Sequence, residues 1–168
     1  MQARKSLELT LAILKPHVVK SPFVLQKIRD LIIENNFKVV RTRRTVLTSE
    51  EAALFYFDHK DKFFYNRLLT FMCSGPSDIH ILAAHDAIVQ WRGLMGPTKT
   101  YQAQYIAPNS IRDSPEAVER EIAIFFEDFN IKQWYEREEI FYNLEKLQFD
   151  PVSFVHIVDK SSVVPNKK

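Results

Sequence analysis

The chain has 168 residues, of which 46% are hydrophobic and 26% charged, and its formal net charge is +2. These values describe one globular domain, or one domain with a tail, and such a balanced charge does not by itself favour nucleic acid. Only three glycines are present, Gly75, Gly93 and Gly96, where average usage of about 7% would give roughly 12. Neither a G-x-G-x-x-G motif nor a Walker loop can be written, so side chains must hold any bound phosphate.

Other bulk features exclude further classes. The single cysteine, Cys73, rules out an internal disulfide and a cysteine-rich zinc site and favours a reducing compartment. No apolar run approaches the roughly 20 residues that span a bilayer, and the N-terminus carries no secretory segment. We therefore expect a cytoplasmic protein with no membrane partner, and a mitochondrial location stays open.

The first half of the chain predicts two strands and two helices. Residues 7–14 are apolar and short, as in a buried strand. Ser21-Pro22 has the N-cap and first-turn proline of a helix that ends near Asn35-Asn36. Residues 37–47 are typical of a strand, and Thr48 with Glu51 has the spacing of a capping box at the start of the second helix.

The second half continues the alternation. A helix is predicted over 61–73, a strand over 79–84, and a helix from Asp86 to Gly96-Pro97. Residues 98–112 are irregular, and Ser114-Pro115 opens another amphipathic helix. This order predicts an α+β protein with a ferredoxin-like βαββαβ sandwich, in which helices cover an antiparallel sheet. We expect a lead-in at 1–7, the main domain at 8–139 and an appendage at 140–168.

Several side chains could capture a nucleotide without a glycine-rich loop. Lys15 ends the first strand, where an ammonium suits a phosphate as a point charge. Aromatic residues lie on the helix pair, at Tyr56 and in Phe63-Phe64-Tyr65, and a free ring there could stack on a base. Two arginines that can clamp phosphates, and a hydroxyl, come later: Arg92, Thr98 and Arg112. The five histidines show no metal-ligand spacing, so no metal site is predicted.

Five ordered motifs resemble those of nucleoside diphosphate kinases, over roughly residues 8–136. They are Leu11-Ala12-Ile13-Leu14-Lys15-Pro16, Phe63-Phe64-Tyr65, residues 71–76, residues 91–98 and Ser110-Ile111-Arg112. The helix around residues 119–126 also matches. The lengthened segment between Thr98 and Arg112 makes the chain most similar to the nucleoside diphosphate kinase 6-like branch.

The resemblance implies a ferredoxin-like core that binds ATP and nucleoside diphosphates with Mg²⁺, usually in a closed homo-oligomer. It implies γ-phosphoryl transfer through a phosphohistidine, which is covalent catalysis. It also implies residue roles: Lys15 contacts phosphate, Tyr56 supports the pocket and Phe64 stacks on the base. Arg92, Thr98 and Arg112 would hold the phosphates, and Glu121 matches the glutamate that orients the nucleophilic histidine.

The chain departs from the family between Arg112 and the following helix. The family has the nucleophilic histidine there, within a His-Gly-Ser-Asp-type motif, but Arg112 is followed directly by Asp113-Ser114-Pro115. A segment on the order of 15 residues is missing by comparison with the family. We therefore predict that kinase activity is impaired or lost while nucleotide binding survives.

Three functional hypotheses remain. The first is a nucleoside diphosphate kinase, and the second is a catalytically inactive member that binds nucleotide or acts as an assembly partner. The third, a ferredoxin-like RNA-binding module, lacks the aromatic motif and basic face of that class. No sequence-specific nucleic acid partner is therefore expected.

Overall fold

The computed structural model describes residues 4–95, 114–159 and 161. The helices and strands of these ranges are, in chain order, β1 (Glu8–Leu14), α1 (Pro16–Val19), α2 (Pro22–Glu34), β2 (Lys38–Thr45), α3 (Ser49–Phe55), a 3₁₀ turn (Phe57–His59), α4 (Tyr65–Met72), β3 (Ser77–Ala84), α5 (Ala87–Met95), α6 (Pro115–Phe125), α7 (Ile131–Arg137), α8 (Glu139–Asn143), β4 (Leu147–Asp150) and β5 (Val155–Val158). No helix in these ranges is both long and apolar enough to cross a bilayer.

The main sheet is antiparallel, with the described strands in the order β1-β3-β2. Leu11 lies opposite Ile81, and Thr42 lies opposite His80, with an irregularity in β2 between Val39 and Arg41. The order β-α-β-helices-β-α of the elements up to α5 follows the βαββαβ pattern. Strands β4 and β5 form a separate antiparallel pair.

Local capping explains why two of the helices begin where the sequence predicts. The Glu51 backbone N–H donates to Thr48 Oγ1, and the Thr48 N–H donates to the Glu51 carboxylate, both at 3.1 Å, which completes the capping box of α3. At α6, Ser114 Oγ accepts from the Ala117 N–H at 3.2 Å. Helix α2 begins after Ser21 as expected, but the Ser21 side chain makes no capping hydrogen bond.

One local prediction needs correction, and two elements of the structure were not predicted. The helix predicted over 61–73 begins only at Tyr65, because isolated turns precede it: the Lys62 N–H donates to His59 O, and the Tyr65 N–H to Lys62 O. Helix α1, which follows Lys15 directly, was not predicted. The β4–β5 hairpin was also missed, and its residues 147–158 lie within the predicted appendage at 140–168.

Helices cover both faces of the sheet. On one side, here called the α6 face, apolar side chains of β1 and β3 such as Leu11 and Ile81 pack with α3, α6 and α7. On the other, the α2 face, Leu14, Val39 and Leu82 pack with α2, α5 and the C-terminal hairpin. Apolar side chains on both faces of β1 explain why residues 11–14 form a continuous hydrophobic run rather than an alternating one.

Each cation of β2 pairs with a carboxylate outside β2. The pairs are Lys38–Glu145 at 3.2 Å, Arg41–Glu138 at 3.6 Å, Arg43–Glu51 at 3.2 Å and Arg44–Asp78 at 2.6 Å. The basic appearance of residues 38–44 in the sequence therefore reflects contacts within the fold.

Candidate functional site

Lys15 lies at the junction between β1 and α1. Its carbonyl accepts the Val18 and Val19 N–H groups at 3.0 and 3.3 Å, which turns the chain sharply at the end of the strand. The side chain is half-buried, and this burial lowers the pKa of the Lys15 ammonium. Among the described residues, its Nζ has no hydrogen-bond or ion-pair partner. A desolvated ammonium at a strand end suits the phosphate contact that the sequence predicts.

Tyr56 follows α3 and is only 1% exposed. Its hydroxyl has no hydrogen-bond partner in the described part of the chain. Burial and the nearby Glu121 carboxylate both raise the pKa of Tyr56, so the hydroxyl stays protonated and can donate. A buried hydroxyl without a partner is costly, and such groups often mark a place where a ligand or further side chain contributes.

Glu121 connects α6 to the same region. Its carboxylate is fully buried in the middle of the helix and acts electrostatically on Tyr56. One residue earlier, Arg120 forms an ion pair with Asp58 at 3.6 Å, which ties α6 to the 3₁₀ turn. The structure therefore brings together two of the residues named from the sequence, Tyr56 and Glu121.

The aromatic rings beside Tyr56 form a short chain that ends at Phe64. The His59 ring lies 6.1 Å from Tyr56 and 5.8 Å from Phe64, measured between centroids. Phe64 is half-buried, whereas Phe63 is 95% exposed and meets Phe64 edge-on at 5.5 Å. The sequence predicts that one ring of residues 63–65 is free to stack on a base. Phe63 and Phe64 are both candidates, and the Phe64 ring is the one that also lies beside His59.

His59 is a residue that sequence reasoning missed. The structure buries its Nδ1 atom, which has no hydrogen-bond partner among the described residues. The only sequence signal was its position between Tyr56 and the aromatic run, which no helical or strand periodicity distinguishes.

The remaining predicted residues are only partly placed. Arg92 is exposed in the last turn of α5, next to the fully buried Trp91. Thr98 and Arg112 lie outside the described residues. The site as described therefore consists of Tyr56, Phe64 and Glu121 in one neighbourhood, with Lys15 at the end of β1 and Arg92 on α5.

The five histidines of the chain all fall within the described ranges. Two are exposed, His17 on α1 and His85 after β3; His80 is buried in β3, and His59 and His156 lie in the 3₁₀ turn and in β5. In the same ranges, no group of three His, Cys, Asp or Glu side chains is arranged to hold a metal ion.

Comparison with known proteins decides the family. The family model for nucleoside diphosphate kinase matches residues 8–114. The chain belongs to the nucleoside diphosphate kinase family. Nucleoside diphosphate kinase 6 from Mus musculus is 40% identical over 171 residues, covering 93% of this chain and 90% of that protein. The same-named protein from Homo sapiens is 39% identical over 173 residues, covering 94% and 93%.

Solved structures agree with the fold. A crystal structure of the Aquifex aeolicus nucleoside diphosphate kinase matches with a TM-score of 0.61 and 34% identity, covering 72% of this chain and 96% of that one. A halophilic nucleoside diphosphate kinase from Halobacterium salinarum, in complex with CDP, matches with a TM-score of 0.65 and 27% identity, covering 76% and 97%. The predicted family and the predicted ferredoxin-like fold class are both confirmed.

Proposed function

We propose that this family member binds ATP and nucleoside diphosphates, and that phosphoryl transfer through a phosphohistidine is impaired or lost. The observation that carries the proposal is the distribution of histidines. The chain has none between His85 and His156, whereas the family resemblance requires one shortly before the helix that holds Glu121. The family's positioning glutamate is therefore present, but its nucleophile has no counterpart at the expected place in the sequence.

The lengths of the alignments support a missing segment. The match to the mouse relative runs over 171 residues, but 93% of this chain is only about 156 residues. The match to the human relative runs over 173 residues, but 94% of this chain is about 158. In each case about 15 positions of the relative have no residue opposite them in this chain.

The chemistry of the family reaction explains why this loss matters. The histidine nitrogen attacks the γ-phosphorus of ATP, the bond from that phosphorus to the bridging oxygen breaks, and ADP leaves. A nucleoside diphosphate oxygen then attacks the same phosphorus and frees the histidine. Removing the nucleophile in a comparable covalent mechanism costs up to roughly 10⁶ in rate, because no other group of the site forms the intermediate.

Nucleotide binding needs a different set of residues, and those remain in the chain. We propose that Phe64 stacks on the base, that Lys15 contacts phosphate, and that Arg92, Thr98 and Arg112 complete the phosphate site. Tyr56 would support the pocket through its buried hydroxyl. The relative solved with bound CDP supports this ligand class, and base stacking is tolerant of base identity.

Magnesium would enter this site with the nucleotide. The described residues provide no set of three ligand side chains for a metal ion alone, and Mg²⁺ is commonly held by substrate phosphates together with water. Bound there, Mg²⁺ would neutralise phosphate charge. Lys15 and the arginines would then orient the phosphates rather than hold the ion.

The binding half of the proposal is tested by titrating a fluorescent ATP analogue with Mg²⁺ into the purified chain. Phe64→Ala should weaken binding by about tenfold, because stacking on one base contributes about 1–3 kcal/mol. Phe63→Ala is the matched control, since it removes a neighbouring ring of the same type that is 95% exposed. Equal effects of the two substitutions, or no binding by the wild type, would contradict the proposal, and the second result would favour the assembly-partner alternative.

The catalytic half is tested with ATP labelled on the γ-phosphate. We expect no acid-labile phosphoprotein and no label on an added nucleoside diphosphate. Inserting the corresponding segment of the mouse relative between Arg112 and Asp113 should restore both signals. Phosphoprotein formed by the unmodified chain at a rate comparable to that of the restored chain would refute the predicted loss.

A further inference from the structure

The C-terminal β4–β5 hairpin lies along the edge of the main sheet, against β2. The Val39 N–H donates to His156 Nδ1 at 2.8 Å, and Thr42 Oγ1 donates to the Phe154 carbonyl at 2.7 Å. Within the described part of the sheet, β2 is an end strand. Its exposed backbone groups would otherwise be open to pairing with another strand, so the hairpin covers this edge.

Phe154 anchors the hairpin in the α2 face. It is 3% exposed and lies 5.2 Å from the His80 ring and 5.6 Å from the Phe149 ring, between centroids. The Arg29 guanidinium lies 4.8 Å from the Phe154 ring centroid. The hairpin is therefore docked both through polar groups on β2 and through one buried aromatic side chain.

The hairpin is joined to the body by a short connection, residues 144–146, between α8 and β4. The Lys146 N–H donates to Phe141 O at 2.9 Å, and the Glu145 N–H to Tyr142 O at 3.3 Å. These are the two hydrogen bonds of a Schellman motif, in which glycine is the usual residue at the left-handed position. Here that position holds Glu145, with φ at 57°, and this conformation is unfavourable for a residue with a Cβ atom.

We propose that the β4–β5 hairpin is exchanged between two copies of this chain, so that the hairpin of one copy docks on β2 of the other. The hairpin has its own internal pairing, with Leu147 opposite Val158, and can move as a unit. The partner copy's hairpin would make the same contacts with Val39 and Thr42, because the sequences are identical. Extending residues 144–146 would release the unfavourable conformation of Glu145, and short strained hinges favour exchange.

His156 makes release of the hairpin dependent on pH. Its Nδ1 accepts the Val39 N–H, which only an unprotonated nitrogen can do. Burial, with a smaller contribution from the Lys38 charge, lowers the pKa of His156 to about 4. The other groups around it are the Tyr142 hydroxyl, which donates to its carbonyl at 3.1 Å, the Phe149 ring at 4.9 Å, and Glu145, which pairs with Lys38.

The sign of the pH effect follows from this arrangement. A released hairpin would have His156 near its ordinary pKa of about 6.5. Docking is therefore fully favoured above that pH and is progressively lost as the pH falls towards 4. A second titrating group, His80, faces Phe154 from β3, together with Asp78 and Arg29. A control that removes only the titration of His156 is therefore required.

The test mixes full-length chains of ordinary and heavy-isotope composition, each with a photo-crosslinking residue in place of Ile157. Monomer and dimer fractions are separated by size and analysed by native mass spectrometry after incubation at pH 7.5 and at pH 5. We expect the dimer fraction to contain crosslinks from the hairpin of one isotope to the β2 peptide of the other. Conversion of monomer into dimer at pH 5 should be about tenfold faster than at pH 7.5. This figure already allows for the partial exposure of the His156 ring, which makes the effect smaller than full burial would.

Three variants test the hinge at Glu145 and the hydrogen bond accepted by His156. Glu145→Asn should lower the dimer fraction by about threefold, because asparagine tolerates the left-handed position. Glu145→Gln, which also removes the ion pair with Lys38 but keeps the strain, should not. His156→Asn retains an acceptor oxygen near the place of Nδ1 and should remove the acceleration at pH 5. The proposal is overturned if no dimers form at pH 7.5 and at pH 5, or if no crosslink in the dimers joins chains of different isotope composition.

Discussion

Asp78 is a buried carboxylate that pairs with two arginines, and we expect Asp78→Asn to destabilise the fold. Asp78 is 1% exposed and accepts from Arg44 at 2.6 and 2.9 Å and from Arg29 at 3.2 Å. The substitution keeps the shape of the side chain but removes its charge. The two guanidinium groups then lose their shared counterion.

The magnitude depends on how well each arginine regains water. Breaking one partner of a buried pair costs about 3–5 kcal/mol. The Arg44 side chain is 50% exposed and can be hydrated again, but that of Arg29 is only 18% exposed. We therefore expect the lower end of the range, a loss of about 3 kcal/mol in the free energy of unfolding, measured by urea denaturation at neutral pH.

The pH dependence gives an independent check. Burial by itself would raise the pKa of Asp78, but the hydrogen bonds from Arg44 and the charges of His80, Arg44 and Arg29 hold it below its ordinary value. The stabilisation is therefore complete above the unfolded-state pKa of about 3.9 and is lost as the pH falls through the lower native value. The difference between wild type and variant should shrink below about pH 4.

Asp86→Asn is the matched control. Asp86 pairs with Lys5, but both side chains are more than half exposed, and such pairs contribute less than about 1 kcal/mol. A loss below about 1 kcal/mol for Asp78→Asn, or equal losses for the two variants, would refute the reasoning that burial makes the Asp78 contacts strong.

Two further predictions concern single groups. Tyr56→Phe should raise the free energy of unfolding of the nucleotide-free protein by about 1 kcal/mol, because it removes a buried hydroxyl without a described partner; thermal unfolding measures this, and a lower melting temperature would contradict it. Thr48→Ala should lower that free energy by about 1 kcal/mol through loss of the α3 capping box, whereas Ser49→Ala, which leaves the cap intact, should have little effect in the same urea titration.

The fold could be predicted from the sequence to the extent that its elements carry local signals. Thr48 and Ser114 begin their helices through their own side chains, and the strand over residues 8–14 ends in the apolar run 11–14. The hairpin has no such signal, because Phe154 becomes buried only through contact with the α2 face. Its pairing with β2 depends on a contact between His156 and Val39, 117 residues apart, which no local pattern indicates.

The candidate site divides in the same way. Lys15, Phe64 and Glu121 were named from ordered motifs that resemble a family, and the structure describes where each one lies. His59 and Asp78 were not singled out, because their surroundings come from several elements: His59 from the rings of Tyr56 and Phe64, and Asp78 from α2 and β2. Burial of a polar group is a property of the assembled fold rather than of its neighbours in the chain.

The position of the proposed loss explains how the fold can tolerate it. The proposed break with the family falls directly before α6, and that helix begins on its own signals, the Ser114 cap and Pro115 in its first turn. Its apolar residues Val118, Ile122 and Phe125 are buried in the α6 face, so packing fixes the helix whatever precedes it. A segment that carries the nucleophile is therefore more easily lost than one that carries the core. The proposed result is a protein that keeps the family fold and its buried glutamate but lacks the group that the glutamate would orient.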